Sequence, residues 1–318
     1  MPRYNRGVLD RVAREHGFVR DTFEKVLRLK EILLFLNIDD YLRERLALKG
    51  GTAINLMIFN LPRLSVDIDL DFMLNLSRQE VKPEREKITA IIKAYMKEEG
   101  YYLSEASRGS HSLDAFLFQY ENAAGNRDNI KIEVNYSLRA HLFAPTVHKI
   151  IPEAFTSDIE ICILKPIEIF AAKTNALINR ATARDLYDFN NMINSTLFKE
   201  TEYELLRKCI VFYAAISAKR INEDFDTSAI SEMNFSKIRR DLFPLLREVG
   251  DFNLENRKEQ AQDFIHKLMV LSSKEKEYLN YFKTGKYKPE LLFDNERILD
   301  NIREHPMALW KTKKYQDN

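Results

Sequence analysis

Residues 46–72 read LALKGGTAINLMIFNLPRLSVDIDLDF. The end of this stretch alternates with period two. Val66, Ile68, Leu70 and Phe72 fall on one face, and Ser65, Asp67, Asp69 and Asp71 on the other, which is the pattern of a half-buried strand. LALK before it predicts a short strand, followed by a glycine turn and a helix over Ala53–Phe59. Side chains two apart on a strand share a face, so Asp67 and Asp69 project side by side. Two close carboxylates repel unless a cation lies between them, and burial sharpens the cost. Magnesium answers this chemistry, because it needs only one or two carboxylates plus substrate phosphates. An edge strand with a wet acidic face gives the same alternation, so the D-x-D spacing supports both readings.

Two neighbouring features favour the metal. Gly50-Gly51-Thr52 precedes a helix, where glycines let a phosphate approach the backbone and Thr52 offers a hydroxyl at the capping position. In KIEVNY, Ile132, Val134 and Tyr136 face one way, and Lys131, Glu133 and Asn135 the other. If that strand pairs beside the aspartate strand, Glu133 joins Asp67 and Asp69 on one surface. There it could hold a metal or take a proton from an attacking hydroxyl. A tight turn and a plain surface glutamate are the competing readings.

Working outward, helical spacing predicts helices over Val19–Leu36, Ile38–Arg45 and Pro83–Glu99, the last ended by Gly100. DAFLFQYEN and NIKIEVNYSL read as strands joined by the hairpin-loop chemistry of AAGNRD, and IEICIL reads as another strand. After Pro166 the pattern turns helical, with segments at 167–180, 184–195, 202–220, 236–248, 256–271 and 274–282. The expected organisation is an α+β domain over 1–165, including N-terminal helices at 19–45, and a helical domain over 166–318.

Composition removes several function classes. With 45% hydrophobic and 31% charged residues, the chain reads as an ordinary soluble one. No apolar run approaches the roughly 20 residues of a membrane span, and the N-terminus lacks a signal-peptide core. A cytoplasmic protein is expected. Cys162 and Cys209 lie in apolar surroundings with no CxxC, so they read as buried thiols. The six histidines form no metal-ligand spacing. GxSxG, Walker and GxGxxG motifs are missing, which argues against hydrolase, P-loop and Rossmann chemistry. The net charge of +1 leaves any nucleic-acid site to local patches. The tail with Arg303, Trp310, Lys311, Lys313, Lys314 and Tyr315 reads as frayed and solvated.

Taken together, Gly50-Gly51-Thr52, Arg63, Ser65, Asp67 and Asp69 resemble the first motif of the AbiEii/AbiGii toxin family, the nucleotidyltransferase-like toxins also typified by the MenT proteins. KIEVNY looks like the intervening motif. PIEIFAAKTNALINRATARDLYDF resembles a later one, carried by Lys173, Arg180, Arg184, Asp185 and Asp188. The resemblance covers roughly 46–190. It implies a polymerase-β-like nucleotidyltransferase core with a mixed sheet, N-terminal helices and a C-terminal helical bundle. It also implies a toxin of a type IV toxin–antitoxin system, with an AbiEi-type antitoxin, NTP and Mg²⁺, and an acceptor such as the 3′ end of tRNA, whose modification blocks translation.

Under that resemblance Asp67, Asp69 and Glu133 are the metal and catalytic carboxylates. Gly50, Gly51, Thr52, Ser65, Lys173 and Arg180 face the nucleotide. Lys173 binds the triphosphate as a compact charge; without the family it reads as a lysine snorkelling at a core edge. One of Asp185 and Asp188 is expected to orient Lys173 or Arg180, and which one stays open. Basic residues for an RNA acceptor are Arg180, Arg184, Lys219, Arg220, Lys237, Arg239 and Arg240, with the tail lysines Lys311, Lys313 and Lys314 as further candidates. Two alternatives remain: a nucleotidyltransferase that modifies a protein or small molecule, and a nucleotide-binding protein with a decayed site.

Overall fold

The computed structural model describes residues 4–217, 224–247 and 252–316. The chain forms two compact units. The first comprises Met1–Arg139, Pro145–Leu164 and Pro244–Val249, and the second Ala140–Ala144, Lys165–Phe243 and Gly250–Asn318.

The first unit runs α1 (Arg6–Glu15), α2 (Arg20–Ile38), α3 (Asp40–Arg43), β1 (Leu46–Lys49), α4 (Gly50–Ala53), β2 (Asp67–Phe72), α5 (Arg78–Glu98), β3 (Tyr102–Leu103), β4 (Arg108–Gly109), β5 (Leu113–Glu121), β6 (Arg127–Asn135), β7 (Thr146–His148) and β8 (Ile161–Ile163). Among the described residues these strands make one eight-stranded sheet, in the order β3-β5-β6-β2-β1-β8-β7, with β4 also paired to β5. The sheet is mixed: β2 runs parallel to β6 and antiparallel to β1, while β5 and β6 form an antiparallel hairpin. Its central strands bury Ile68, Leu70, Ile132 and Val134 on one face, as period-two alternation requires. The hairpin closes through 122–126, where Gly125 takes a left-handed φ of 82°.

Local sequence explains where these elements differ from expectation. The helix expected from Pro83 begins five residues earlier, because Ser77 and Glu80 form a capping box and Pro83 is carried inside α5. Helix α1 was not expected; Asn5 caps it by accepting from Val8 N–H. The helix expected over Ile38–Arg45 is only the single turn α3, after which the chain enters β1. The helix after the glycines starts at Gly50 itself and runs on as a π-helical turn, Ile54–Ile58.

The second unit is helical: α6 (Pro166–Arg180), α7 (Ala183–Ile193), α8 (Tyr203–Ser217), α9 (Ser228–Ser231), α10 (Phe235–Asp241), α11 (Leu254–Leu268), α12 (Ser273–Lys283), α13 (Glu296–Ile302) and α14 (Pro306–Gln316). The helix expected over 236–248 stops at Asp241. Pro244 cannot continue it, and the segment beyond joins the first unit, where Leu64 N–H donates to Leu245 C=O at 2.8 Å. In the same way Ala140–Ala144 belongs to the helical unit. The buried Glu168 carboxylate accepts Leu142 N–H at 2.8 Å, Phe143 N–H at 3.2 Å and the Tyr213 hydroxyl at 2.6 Å.

The tail is not frayed. Residues 306–316 form α14, with Ala308, Lys311 and Thr312 buried. Lys311 Nζ donates to Ala215 C=O of α8 at 2.7 Å. Among the described residues no helix is long and apolar enough to cross a membrane.

Candidate active site

The acidic strand is built as its alternation requires. Asp67 and Asp69 are half-buried on one face of β2, while Ile68 and Leu70 are buried on the other. The parallel register sets Asp69 directly beside Glu133 of β6, and Asp67 beside Lys131. Lys131 Nζ pairs with Glu133 at 2.9 Å. The sheet thus brings Asp67, Asp69 and Glu133 to one surface. Among the described residues, no three or more His, Cys, Asp or Glu side chains form a closed metal cage. Two adjacent carboxylates with oxygen donors only are the kind of partial set that suits a hard divalent cation whose remaining ligands come from substrate.

The glycines are explained by what packs on them. Gly50 has a left-handed φ of 70°, and a Cβ there would collide with Asp69 Oδ2. A Cβ on Gly51 would stand 2.6 Å from Arg63 Nη2 and 2.9 Å from Ser65 Oγ. The turn is therefore bare because the acidic strand and its approach close against its backbone. Thr52 differs from expectation. It lies in the first turn of α4 rather than at the cap, which is Lys49. Its buried hydroxyl lies 3.0 Å from Ser65 Oγ and also donates to Asp67 C=O. It fastens the turn to β2 because the helix starts three residues earlier than the motif suggested.

Sequence reading left three residues here without a role. Arg63 is a buried guanidinium, 1% exposed, whose Nη1 donates to Leu64 C=O at 2.8 Å. Asp71, the third acid of the strand, is buried and ion-paired with Lys49 at 2.5 Å. The only sequence signal for the pair is that Lys49 sits just before the glycines.

In the helical unit, Ala181 ends α6 in the left-handed region at φ 41° and the chain reverses into α7. This sets Lys173 Nζ 3.0 Å from Asp185 Oδ1 and 3.0 Å from Asp188 Oδ2. Both aspartates are buried and both hold the lysine, so a snorkelling reading of Lys173 does not describe it. Asp185 also lies 3.3 Å from Arg180 Nε and accepts the Thr182 hydroxyl at 2.7 Å. Thr182 caps α7 in turn, accepting Asp185 N–H at 3.2 Å, a Thr-x-x-Asp spacing that was legible in the sequence. Burial opposes ionisation of Asp185, but Lys173, Arg180 and the Thr182 hydroxyl outweigh it, and its carboxyl titrates below the ordinary value.

The basic candidates differ in exposure and in pairing. Arg240 is exposed and paired with its neighbour Asp241 at 2.6 Å. Lys237 and Arg239 are exposed on α10. Arg303 is paired with Glu296 at 2.6 Å and with Asp300. Lys219 and Arg220 lie outside the described residues.

The profile of the family described as "Nucleotidyl transferase AbiEii toxin, Type IV TA system" matches residues 32–292. The chain belongs to this family. The AbiEii assignment spans both the acidic strand and the lysine cluster. Among solved structures, MenT4, a nucleotidyltransferase toxin from Mycobacterium tuberculosis H37Rv, is similar in fold, with a TM-score of 0.63 at 17% identity over 96% of this chain and 98% of that one. JHP933 from Helicobacter pylori aligns with a TM-score of 0.47 at 19% identity, over 84% of this chain and 99% of that one. No curated protein matches by sequence. The expected fold, an α+β nucleotidyltransferase core with a mixed sheet and attached helices, is the observed one.

Proposed function

We propose that this AbiEii toxin transfers a nucleoside monophosphate from NTP to the 3′ end of tRNA in a Mg²⁺-dependent reaction, and so blocks translation. The observation that carries the reading is the register that places Asp69 beside Glu133 on the face that also carries Asp67. Asp67 and Asp69 would hold magnesium, which when bound neutralises phosphate charge and favours the ionised acceptor hydroxyl. Glu133 accepts the proton of that hydroxyl as its oxygen attacks the α-phosphorus. The bond from the α-phosphorus to the bridging oxygen breaks, and pyrophosphate leaves. Lys173, fixed by Asp185 and Asp188, offers a preset positive charge to the triphosphate, with Arg180 beside it. Gly50, Gly51, Thr52 and Ser65 keep the turn against β2. The partner that restrains the activity is an AbiEi-type antitoxin, and the site of action is the cytoplasm.

The test is incubation of the full chain with each α-³²P-labelled NTP, Mg²⁺ and total tRNA, resolved on a gel. Label at a tRNA 3′ end with release of pyrophosphate is expected. Label that appears only on protein or a small molecule overturns the tRNA acceptor. Absence of transfer and of pyrophosphate release with all four NTPs overturns the reading as an enzyme.

A further inference from the structure

The last helix presents a large aromatic ring to solvent. In α14, Ala308, Lys311 and Thr312 are buried, while Leu309 and Trp310 are 41% and 57% exposed. Helical spacing puts Leu309, Trp310, Lys313 and Lys314 together on the outer side. A second basic segment is fastened beside this helix. Residues 283–288, at the end of α12, read KTGKYK. Gly285 takes a φ of 79°, and a Cβ there would meet Thr312 C=O and Gln316 Cγ. Gln316 Nε2 donates to Gly285 C=O at 2.7 Å, and the Tyr315 ring meets Phe282 edge-on at 6.4 Å. This packing joins the two segments into one basic surface, on which Lys283, Lys286, Lys313 and Lys314 are exposed. Lys311 is no part of it, because its ammonium is turned inward onto Ala215 C=O.

The surface is poor in acids. Neither 278–289 nor 305–316 contains an Asp or Glu, and Asp317 beyond them lies outside the described residues. Glu296 and Asp300 of the intervening α13 are held by Arg303. A chain with a net charge of only +1 thus concentrates positive charge here. The ammonium groups also lie against aromatic rings. Lys288 Nζ is 3.9 Å and Lys286 Nζ 5.9 Å from the Tyr281 ring centre, and Lys314 Nζ is 5.7 Å from that of Trp310.

We infer that this face binds single-stranded RNA, with an unpaired base stacked on Trp310 and phosphates met by Lys286, Lys288, Lys313 and Lys314. That the strand is RNA rests on the proposed tRNA acceptor; the site itself rests on charge and exposure. An unpaired strand needs a flat ring that accepts any base and point charges for its phosphates. Two exposed apolar side chains are too few for a helix that sinks an apolar face into lipid. They are also too few for the apolar centre of a stable protein interface.

Trp310 is the chain's one tryptophan, so its fluorescence reports this site alone. The full chain is titrated with an oligouridylate of about 12 nucleotides, within the length one such surface covers. Saturable quenching that weakens steeply with salt is expected. Lys286→Ser, Lys288→Ser and Lys313→Ser together should lower the slope of log affinity against log salt by about two. Trp310→Ala, read by the anisotropy of labelled oligouridylate, should bind about tenfold more weakly with its slope unchanged, and Trp310→Phe should recover most of that loss. Thermal unfolding checks that each variant is folded. Absence of quenching, a wild-type slope in the lysine variant, or wild-type affinity in Trp310→Ala each overturns the inference. Equal quenching by polyglutamate or by phosphatidylserine vesicles marks a protein or membrane surface and overturns it too. An oligodeoxythymidylate that binds about tenfold more tightly than oligouridylate overturns the assignment to RNA. Transfer of label to tRNA by a chain whose tryptophan no RNA quenches removes this site and leaves the proposed function standing. Quenching with no transfer to tRNA leaves the site standing and overturns the proposed acceptor.

Discussion

The Lys173 ammonium lies 3.0 Å from Asp188, a carboxylate with no solvent exposure. An ammonium and a carboxylate at that depth depend on each other, since neither can return to water without unfolding the turn between α6 and α7. Asp185 shares the same lysine at 3.0 Å. The cluster therefore sets two acids on one lysine, with the exposed Arg180 beside Asp185.

Lys173→Met should destabilise the chain by about 3–5 kcal/mol, the cost of breaking a buried pair from one side. Adding Asp188→Asn to Lys173→Met should recover much of that loss, because one stranded charge disappears. Urea unfolding of the three proteins checks the order. The double variant then isolates the catalytic role, and its apparent KM for NTP should rise. If its transfer kinetics match wild type, Lys173 serves the fold alone.

Asp185 gives a pH signature. Its folded-state pKa is depressed below the ordinary 3.8. Its contribution is therefore complete above that value and is lost as pH falls through the folded-state pKa. The stability gap between wild type and Asp185→Asn should be constant near neutral pH and shrink below about pH 4. A gap that stays constant through the acid limb would exclude a depressed carboxyl at this position.

Lys311 has the same sense, displaced to the alkaline end. Burial first, and then the Lys314 charge, lower its pKa from 10.5 to about 8. A base whose folded-state pKa is depressed contributes its full stability above the unfolded value and loses it as pH falls through the folded one. Wild type should thus gain stability between about pH 8 and 10 relative to Lys311→Met. The neutral amine can still donate to Ala215 C=O, so deprotonation forfeits no hydrogen bond. Chemical denaturation at pH 7.5 and 9.5, compared between the two proteins, reads the difference directly. Equal slopes would mean that Lys311 titrates as an ordinary lysine.

What could be read in advance was what local periodicity encodes. The alternation from Val66 to Phe72 gave β2 and its acidic face, and KIEVNY gave β6. That β6 lies beside β2, parallel and in the register Asp69 to Glu133, depends on long-range packing, so Glu133 could be placed only conditionally. Lys49 and Asp71 were invisible as a pair for the same reason: they are 22 positions apart in the chain. The C-terminal helices were missed for a different cause. In α14 a lysine, Lys311, occupies a buried position while Leu309 and Trp310 are exposed, so the helix carries almost none of the apolar periodicity that announces one. Segments 140–144 and 244–249 carry no local sign of the unit they join, because Glu168 and Leu64, which hold them, are distant in sequence.

Asp69→Asn should abolish nucleotide transfer while the fold persists. The substitution keeps shape and removes one of two adjacent anionic oxygen sets, which cripples divalent-cation binding. Mutual repulsion with Asp67 and Glu133 falls at the same time, so the thermal midpoint should hold or rise. Full activity in a purified, folded Asp69→Asn protein would remove this residue from the chemistry.

An RNA acceptor leaves its own signature in salt. The chain's net charge is +1, so any phosphate-binding charge must come from local cations, and α10 offers Lys237, Arg239 and Arg240. Arg240 is offset by Asp241 at 2.6 Å, whereas Lys237 and Arg239 are exposed and better placed to meet a phosphate. Removing one phosphate-binding cation should lower the slope of log affinity against log salt by about one. Replacing Lys237 and Arg239 together with serine should weaken tRNA binding and reduce that slope by about two. Arg240→Ser should do less than either, because Asp241 already offsets its charge. Mn²⁺ and NTP binding should be unchanged in all of these variants, which separates a weakened acceptor surface from a damaged site. Filter binding of tRNA across a salt series makes the comparison. If the double variant binds tRNA with the wild-type slope, α10 is an ordinary solvated helix and the acceptor is held by other elements.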